Sequence, residues 1–468
     1  MATASRAASL LLAGSSLAQR NAALECLCSS LEARLPEVLA ANAEDLAAAK
    51  ASGLEDAVYK RLVLDAGKVQ SLLSGLRDLV ALPDPLGRAS LSRTLAEGLE
   101  LTRLSCPLGV LAIIFEARPE AVIQIASLAI KSGNAVILKG GKEAQRSNAA
   151  LVEVVRGALA AAGALPLDAV QLVSTREDVA GLLKLDELID LVIPRGSMRL
   201  VREVKAATRI PVLGHADGIC HVFLDASADP ALAAPLVVDS KTQYPAACNA
   251  AETLLVHVEA LAGVLPVVAQ RLLEAGVTLH VDAQCRAPCL AALVEAQRQQ
   301  QQREGQGQGT SGSKPGSPLG AVVDAVAGDW DTEWLSLHMG VAAVGSCGEA
   351  VAWINAHGSG HTDAIVSSDA VGSVAHFLAN VDSAGVYHNA STRFADGFRY
   401  GFGAEVGIST NKLHARGPVG LDGLCTYKYT LVGGGHTVAQ FQGAAVAGGL
   451  LDLYGTQLKR LEWVHRDH

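Results

Sequence analysis

The segment Lys131-Ser-Gly-Asn-Ala-Val-Ile-Leu-Lys-Gly-Gly-Lys-Glu-Ala144 joins an apolar run, Ala135 to Leu138, to a Gly140-Gly141 turn. Helical patterns flank it, Glu120 to Lys131 before and Lys142 to Ala162 after. A short apolar run bounded by turn residues and set between helices reads as one strand of a parallel sheet. The alternation extends both ways: Val110 to Phe115, Val170 to Val173, Leu188 to Ile193, Pro211 to Leu213 and Ile219 to Leu224 read as strands, with Glu177 to Leu185 and Met198 to Ala207 as helices. This β-α-β rhythm predicts an α/β protein built on a doubly wound parallel sheet, which binds ligands beyond the carboxyl ends of its strands.

Upstream lies an all-helical lead-in. Leu24, Leu27, Leu31 and Leu35 recur at helical spacing, Asn42, Glu44, Asp45 and Lys50 supply a polar face, and Gly53 closes the segment. The start, Met1 to Ser16, is rich in Ser and Ala and has no acid before Glu25, a composition shared by transit peptides and by the first turns of a helix. Downstream, a second α/β region begins near Ala233. Residues 296–318 hold too few apolar side chains to order themselves and predict a disordered loop. From His357 onward glycine is dense, which suits tight turns around a site. The predicted division is 1–232, 233–405 and 406–468.

Half of the 468 residues are hydrophobic, enough for large cores, and the net charge of −9 provides no basic footprint for nucleic acid. A small-molecule ligand fits better. Nine cysteines are too few for a disulfide scaffold at this length and leave one unpaired, so they read as reduced thiols of an intracellular protein. No run reaches the ~18 uncharged apolar residues of a membrane span. The longest candidate, Pro107 to Phe115, is cut off by Glu116 and Arg118.

Cys248 has the most suggestive setting of the nine. In Val237-Val-Asp-Ser-Lys-Thr-Gln-Tyr-Pro-Ala-Ala-Cys-Asn-Ala-Ala-Glu-Thr-Leu-Leu-Val256 the Tyr244-Pro245 pair ends a helix, and Thr253 to Val256 reads as a strand. Cys248 falls on the connection between them, where a thiolate can meet a ligand while its backbone is held from both sides. Against this stands the habit of free cysteines to behave as small core hydrophobes. Two further turns bear cations: Lys139-Gly140-Gly141-Lys142 after one strand and Arg195-Gly196-Ser197 after another, each opening a helix whose first N–H groups suit an anion. Neither has Gly-x-Gly-x-x-Gly spacing, so each also fits an ordinary connection with solvated cations. Cys285, Cys289 and His280 lack metal-site spacing, His357 and His361 lack a third ligand, and no Gly-x-Ser-x-Gly elbow marks a hydrolase.

Taken in order, Lys139-Gly-Gly-Lys-Glu-Ala, Arg195-Gly-Ser and Cys248 give a chain that resembles the aldehyde dehydrogenase superfamily. Within it the chain is most similar to the gamma-glutamyl phosphate reductase (glutamate-5-semialdehyde dehydrogenase) family. Further segments carry the likeness: Pro107-Leu-Gly-Val, Glu116-Ala-Arg-Pro-Glu, Ile189-Asp-Leu-Val-Ile-Pro-Arg-Gly-Ser, His215-Ala-Asp-Gly-Ile-Cys-His-Val, Asn389-Ala-Ser-Thr-Arg-Phe, Gly403-Ala-Glu-Val-Gly-Ile-Ser-Thr and Leu413-His-Ala-Arg-Gly-Pro-Val-Gly. Tyr-Pro-Ala-Ala-Cys-Asn is closest to the reductase half of plant pyrroline-5-carboxylate synthase; no kinase half is present in this sequence.

The resemblance implies an aldehyde dehydrogenase-like fold, with 1–232 an NADP-binding domain, 233–405 a catalytic domain and 406–468 a segment bearing an oligomerisation strand. It implies NADPH-dependent reduction of L-glutamyl 5-phosphate to L-glutamate 5-semialdehyde and phosphate, a step of proline biosynthesis, through a thioester on Cys248. Asn249, Lys241 and backbone N–H groups are its candidate oxyanion donors. Lys139, Gly140, Gly141, Lys142, Arg195, Gly196, Ser197 and Glu333 are implied cofactor contacts, with Lys142 standing where NAD-preferring relatives place an acid and so suiting a 2′-phosphate. Arg118, Arg393 and Arg416 are implied substrate contacts, each alternatively a structural ion-pair partner. Typical aldehyde dehydrogenases place a general-base glutamate in Glu-Leu-Gly-Gly, where this chain has Val212-Leu-Gly-His215, and their oxyanion asparagine aligns with Ala117. Both departures favour an acyl phosphate over a free aldehyde. A strand over Tyr427 to Val432 implies a homodimer or higher homo-oligomer, and the pathway implies a glutamate kinase as partner. The compartment expected is cytoplasmic, with plastid the alternative; no metal, nucleic acid or membrane is expected. The rival readings are an aldehyde dehydrogenase of a small aldehyde and a catalytically silent nucleotide-binding member.

Overall fold

The computed structural model describes residues 1–214, 217–305, 318–441, 464 and 466–467. They divide into two compact units: Met1–Ile193 with Ala207–Val212 and Gly420–His468, and Pro194–Ala206 with Leu213–Val419.

In the first unit the Ser/Ala-rich start is a helix, Ala2–Ala13, with Ser5, Ala8, Ser9 and Leu12 buried. The all-helical lead-in is two helices, Leu17–Ala33 and Leu35–Ala51. Leu24, Leu27 and Leu31 are buried as expected. Leu35 instead opens the second helix, because Pro36 has no N–H to give the preceding turn and is accommodated in a first turn.

A parallel sheet follows, in the order Val170–Leu172, Ala135–Lys139, Val110–Phe115 and Leu191–Arg195. Every residue of Val110–Phe115 is buried, as expected of a parallel strand covered on both faces. Val212 makes one parallel bridge to Val192 in place of the predicted strand Pro211 to Leu213, since Pro211 cannot donate to a ladder. A second, antiparallel sheet runs Cys425–Val432, Leu99–Pro107, Ala89–Ala96 and Arg466–Asp467.

The second unit is built on seven parallel strands in the order Val322–Asp324, Thr278–Val281, His338–Val344, Ala251–His257, Cys220–Leu224, Thr362–Val366 and Gly385–His388. Val222, Leu224, Leu254 and Val256 enter one apolar cluster, with the helices Pro230–Thr242 and Leu265–Glu274. The alternate residues Phe223, Leu255 and Ile365 enter another, with Cys347–His357 and Ser373–Asn380. A two-residue side-chain period between two helical layers gives the uninterrupted apolar runs seen in the sequence.

Three sequence expectations are corrected here. The contacts set no boundary at 232/233, which falls within the helix Pro230–Thr242; Cys220–Leu224 pairs with Ala251–His257 and so belongs to the second unit. Residues 406–468 do not stand apart either, because Cys425–Val432 pairs with Leu99–Pro107 and rejoins the first unit. Finally, residues 296–305 are not loop but the end of the helix Ala283–Gly305. Gln, Arg and Glu are good helix formers, Ala296 is buried, and Glu295 holds Arg298 and Gln299 one turn on. The rest of the predicted loop, 306–317, lies outside the described residues.

Candidate active site

The second unit carries the thiol. The helix Pro230–Thr242 ends at Gln243, and the chain turns through Tyr244–Ala250 with Ala247 N–H donating to the Tyr244 carbonyl and Ala250 N–H to that of Ala247. Cys248 is half-buried in this turn. It lies at the amino ends of the strands, because the turn precedes Ala251–His257 and Gly218, which packs against its backbone, precedes Cys220–Leu224. Cys220 Sγ donates to the Cys248 carbonyl at 3.3 Å, so the neighbouring strand holds the turn as well.

Arg393 lies within electrostatic reach of Cys248. The short helix Thr392–Phe394 docks on the helix Pro230–Thr242, where Ser240 Oγ bonds Ser391 Oγ at 3.1 Å and accepts from Thr392 N–H. Arg393 is only 8% exposed, donates from Nε to Gln243 Oε1 at 2.9 Å, and lies 5.9 Å from the centre of the Tyr244 ring. Burial, and then Arg399, push its pKa below the ordinary value, while a Cys248 thiolate opposes the shift. A buried guanidinium within electrostatic reach of a half-buried thiol suits an anionic ligand.

The other predicted groups are placed differently. Asn249 is buried and donates from Nδ2 to the Ala395 carbonyl at 2.9 Å, so it ties the turn to the Arg393 segment. Lys241 is fully buried against Glu252, Nζ to Oε2 2.5 Å, which commits it to that carboxylate and corrects its reading as an oxyanion donor. Glu333 lies within electrostatic reach of this pair. Arg416 donates to Asp382 Oδ1 at 3.1 Å and to its carbonyl at 2.8 Å, and Lys412 joins the same carboxylate. These residues line a groove of ≈ 360 Å³ with Ser359, Ser383 and Thr410; Cys248 is not among its lining residues. Arg195 packs near Gly407, and Ser197 Oγ accepts from Leu200 N–H to cap the helix Met198–Ala207. His215 lies outside the described residues.

Lys139 to Lys142 and Arg118 belong to the first unit. Arg118 is exposed on the loop after Val110–Phe115. A β-carbon at Gly140 would meet Asn148 Nδ2 at 2.0 Å, which is why the turn needs glycine there. Two of the first N–H groups of the helix Gln145–Ala162 beyond it are already taken, those of Arg146 and Ser147. Asp45 of the lead-in accepts from Ser147 N–H at 2.8 Å, Ser147 Oγ at 2.7 Å and Arg146 N–H at 3.3 Å. Glu143 is likewise engaged, accepting from Ala117 N–H at 2.7 Å. The turn also carries two lysines: Lys139 is half-buried and Lys142 exposed.

Among the described residues no group of three or more His, Cys, Asp or Glu is placed to hold a metal. Cys285 and Cys289 are buried in an apolar cluster, and His280 bonds Asp329 at 2.9 Å and His338 at 3.0 Å. No helix of the described residues is long and apolar enough to cross a membrane.

Comparison with known proteins places this arrangement. The aldehyde dehydrogenase family model matches residues 4–314. Gamma-glutamyl phosphate reductase of Synechococcus elongatus is 52% identical over 445 residues, covering 95% of each chain. This chain belongs to the gamma-glutamyl phosphate reductases of the aldehyde dehydrogenase family. Gamma-glutamyl phosphate reductase 1 of Synechocystis sp. is 51% identical over 438 residues, again covering 94% of each chain. The crystal structure of the gamma-glutamyl phosphate reductase from Thermotoga maritima superposes with a TM-score of 0.83 at 34% identity, covering 93% of this chain and 98% of that one. More distant members share the fold alone, among them an engineered glycolyl-CoA reductase with bound NADP+, at a TM-score of 0.59 and 15% identity over 92% of this chain and 95% of that one.

Proposed function

We propose that this reductase converts L-glutamyl 5-phosphate to L-glutamate 5-semialdehyde and phosphate, a step of proline biosynthesis, with Cys248 as nucleophile and NADPH as the cofactor. The observation that carries the reading is the half-buried Cys248 thiol, clamped at its backbone by Gly218 and Cys220, with the buried cation Arg393 within electrostatic reach.

The Cys248 thiolate attacks the acyl carbon, the C–S bond forms, and the C–O bond to phosphate breaks. The chemistry that a nicotinamide cofactor would supply when bound is hydride for reduction of the thioester carbon. Collapse then breaks the C–S bond, releasing the aldehyde and regenerating the thiolate. Splitting the acyl reduction around a covalent intermediate divides one difficult step into two easier ones. Arg393 attracts the anionic substrate to the thiol, and Asn249 and Cys220 keep the turn from moving as the sulfur changes partner. Lys139 and Lys142 are the cations of the Gly140-Gly141 turn that suit the ribose and the 2′-phosphate of NADPH. Glu333 is the proposed contact of the second ribose, Arg195 to Ser197 border the cofactor, and Arg118 and Arg416 are assigned to the carboxylate and phosphate ends of the substrate.

The subunit is proposed to assemble into a homodimer or higher homo-oligomer through Cys425–Val432, an edge strand whose Tyr427, Tyr429 and Leu431 are exposed. It takes its unstable substrate from a glutamate kinase, in the cytoplasm or a plastid.

The deciding experiment runs the reaction backward. Purified protein with glutamate 5-semialdehyde and NADP+ should reduce the cofactor only when inorganic phosphate is added, and Cys248→Ser should abolish that rate while leaving NADP+ affinity intact. Turnover without phosphate would assign the chain instead to oxidation of a free aldehyde.

A further inference from the structure

Lys241 and Glu252 are both fully buried, and neither belongs to the nucleophile machinery described above. Their positions are telling. Lys241 sits in the last turn of the helix Pro230–Thr242, and Glu252 is the second residue of the strand Ala251–His257. Their 2.5 Å contact therefore closes the loop on which Cys248 rides, at its two points of attachment.

The pair also faces a second loop. Glu333 acts on both partners electrostatically, and the Leu335 backbone N–H lies near the Glu252 carboxyl and favours its ionised form. Leu335 holds φ at 55°, a left-handed backbone that a leucine adopts only when its surroundings impose it. Glu252 Oε1 is buried with no close hydrogen-bond partner among the described residues. The remaining titratable neighbours are Cys220 on the adjoining strand and His338, which in turn bonds His280 and, through it, Asp329. Burial pushes the Lys241 pKa down and that of Glu252 up, each against the attraction of the other.

A buried ion pair is an expensive way to hold a fold together, since an apolar pair of similar volume often serves as well or better. Two ions kept at that cost beneath a nucleophile call for a role beyond stability. We propose that Lys241 and Glu252 are positioning residues: the pair staples the ends of the Cys248 loop, fixing the sulfur for attack. The proposal rests on Cys248 being the nucleophile but not on the identity of its substrate.

The test uses the full-length double variant Lys241→Met/Glu252→Leu, which removes both charges and leaves no orphaned ion, with Glu252→Gln as the second variant. Three quantities are read: the thermal midpoint, kcat and KM in the phosphate-dependent reverse reaction, and the rate at which iodoacetamide alkylates Cys248, with Cys248→Ser as blank. The double variant should keep its thermal midpoint and hold KM for the semialdehyde within about twofold. Its kcat should fall by about 10- to 100-fold, the scale of a misplacement near 1 Å, and its alkylation rate should change at least about threefold. Glu252→Gln should show the same direction in kcat and alkylation. Wild-type kcat and alkylation rates in a folded double variant would overturn the proposal; if that variant does not fold, the same result in Glu252→Gln overturns it. Because alkylation needs no substrate, it decides the staple even if the acyl-phosphate reading fails.

Discussion

A β-carbon on Gly218 would lie 2.2 Å from the carbonyl oxygen of Cys248 and 2.5 Å from its Cα. Both opposing groups are backbone, so no side-chain rotation relieves the clash, and the turn itself has to move. Gly218→Ala should therefore act on the nucleophile rather than on the core at large. The expected outcome is a loss of kcat of roughly 100-fold with a destabilisation of about 1–3 kcal/mol, the usual range for overpacking. Steady-state kinetics and urea unfolding measure the two effects, and an alanine variant with wild-type kcat would show that the turn tolerates displacement.

The strands that sequence reading found best are those buried on both faces. Val110–Phe115 is one unbroken apolar run because helices cover it on either side, and its bounds match residue for residue. The turn around Cys248 was legible for a local reason too, since Pro245 pushes Tyr244 away from the helical region and the helix ends just before it. What stayed hidden depends on pairings remote in sequence. Nothing near Cys425–Val432 announces that it returns to pair with Leu99–Pro107, and nothing near Gln145 announces that Asp45 caps its helix. Glu252 reads locally as a polar residue at a strand start, and only its contact with Lys241 gives it meaning. An acid eleven residues after a helix-terminal lysine, next to a candidate nucleophile, was the available signal.

Lys142 should decide the choice between the phosphorylated and unphosphorylated cofactor. It is exposed, and the Arg146 and Ser147 N–H groups of the following helix are already taken by Asp45, so the lysine is the group of this turn assigned to the 2′-phosphate. Lys142→Glu should lower kcat/KM for NADPH by roughly 10- to 100-fold, the worth of about 1.5–3 kcal/mol for a hydrogen bond to a charged group. The value for NADH should hold or rise. Parallel assays with the two cofactors measure the ratio, and an equal loss with both would place Lys142 outside the phosphate site.

Asp225 sets an acid limit on the second unit. The carboxylate is 3% exposed, and burial alone would raise its pKa. Hydrogen bonds from Ser227 and Ser367 at 2.8 Å and from Ser373 at 3.0 Å outweigh that and hold it below the ordinary value of 3.8. A carboxyl group whose folded pKa is depressed contributes stability above its unfolded pKa and loses it as pH falls through the folded one. Asp225→Asn should therefore cost about 1.5–3 kcal/mol near neutral pH, with the gap to wild type narrowing below the unfolded value. Urea midpoints across that range give the test; a gap independent of pH would assign the loss to packing.

Cys425–Val432 is the edge of its antiparallel sheet among the described residues, and its outward residues are not those of a solvated edge. Tyr427, Tyr429 and Leu431, on one face by the two-residue period, are 56%, 55% and 58% exposed, and Val432 is 69% exposed. A free strand edge bearing aromatic and aliphatic side chains is a template for pairing with another chain. Natural edges that stay single carry lysine, proline or a bulge; here Lys428 is the one cation within the strand. A second copy of this chain is the expected occupant. Tyr427→Asp/Tyr429→Asp should leave the subunit's own stability within about 0.5 kcal/mol, as exposed substitutions do. It should also place four charges in a two-fold interface and reduce the particle to a monomer. Light scattering after size exclusion reads the mass directly, and an unchanged mass for the double variant would move the interface elsewhere.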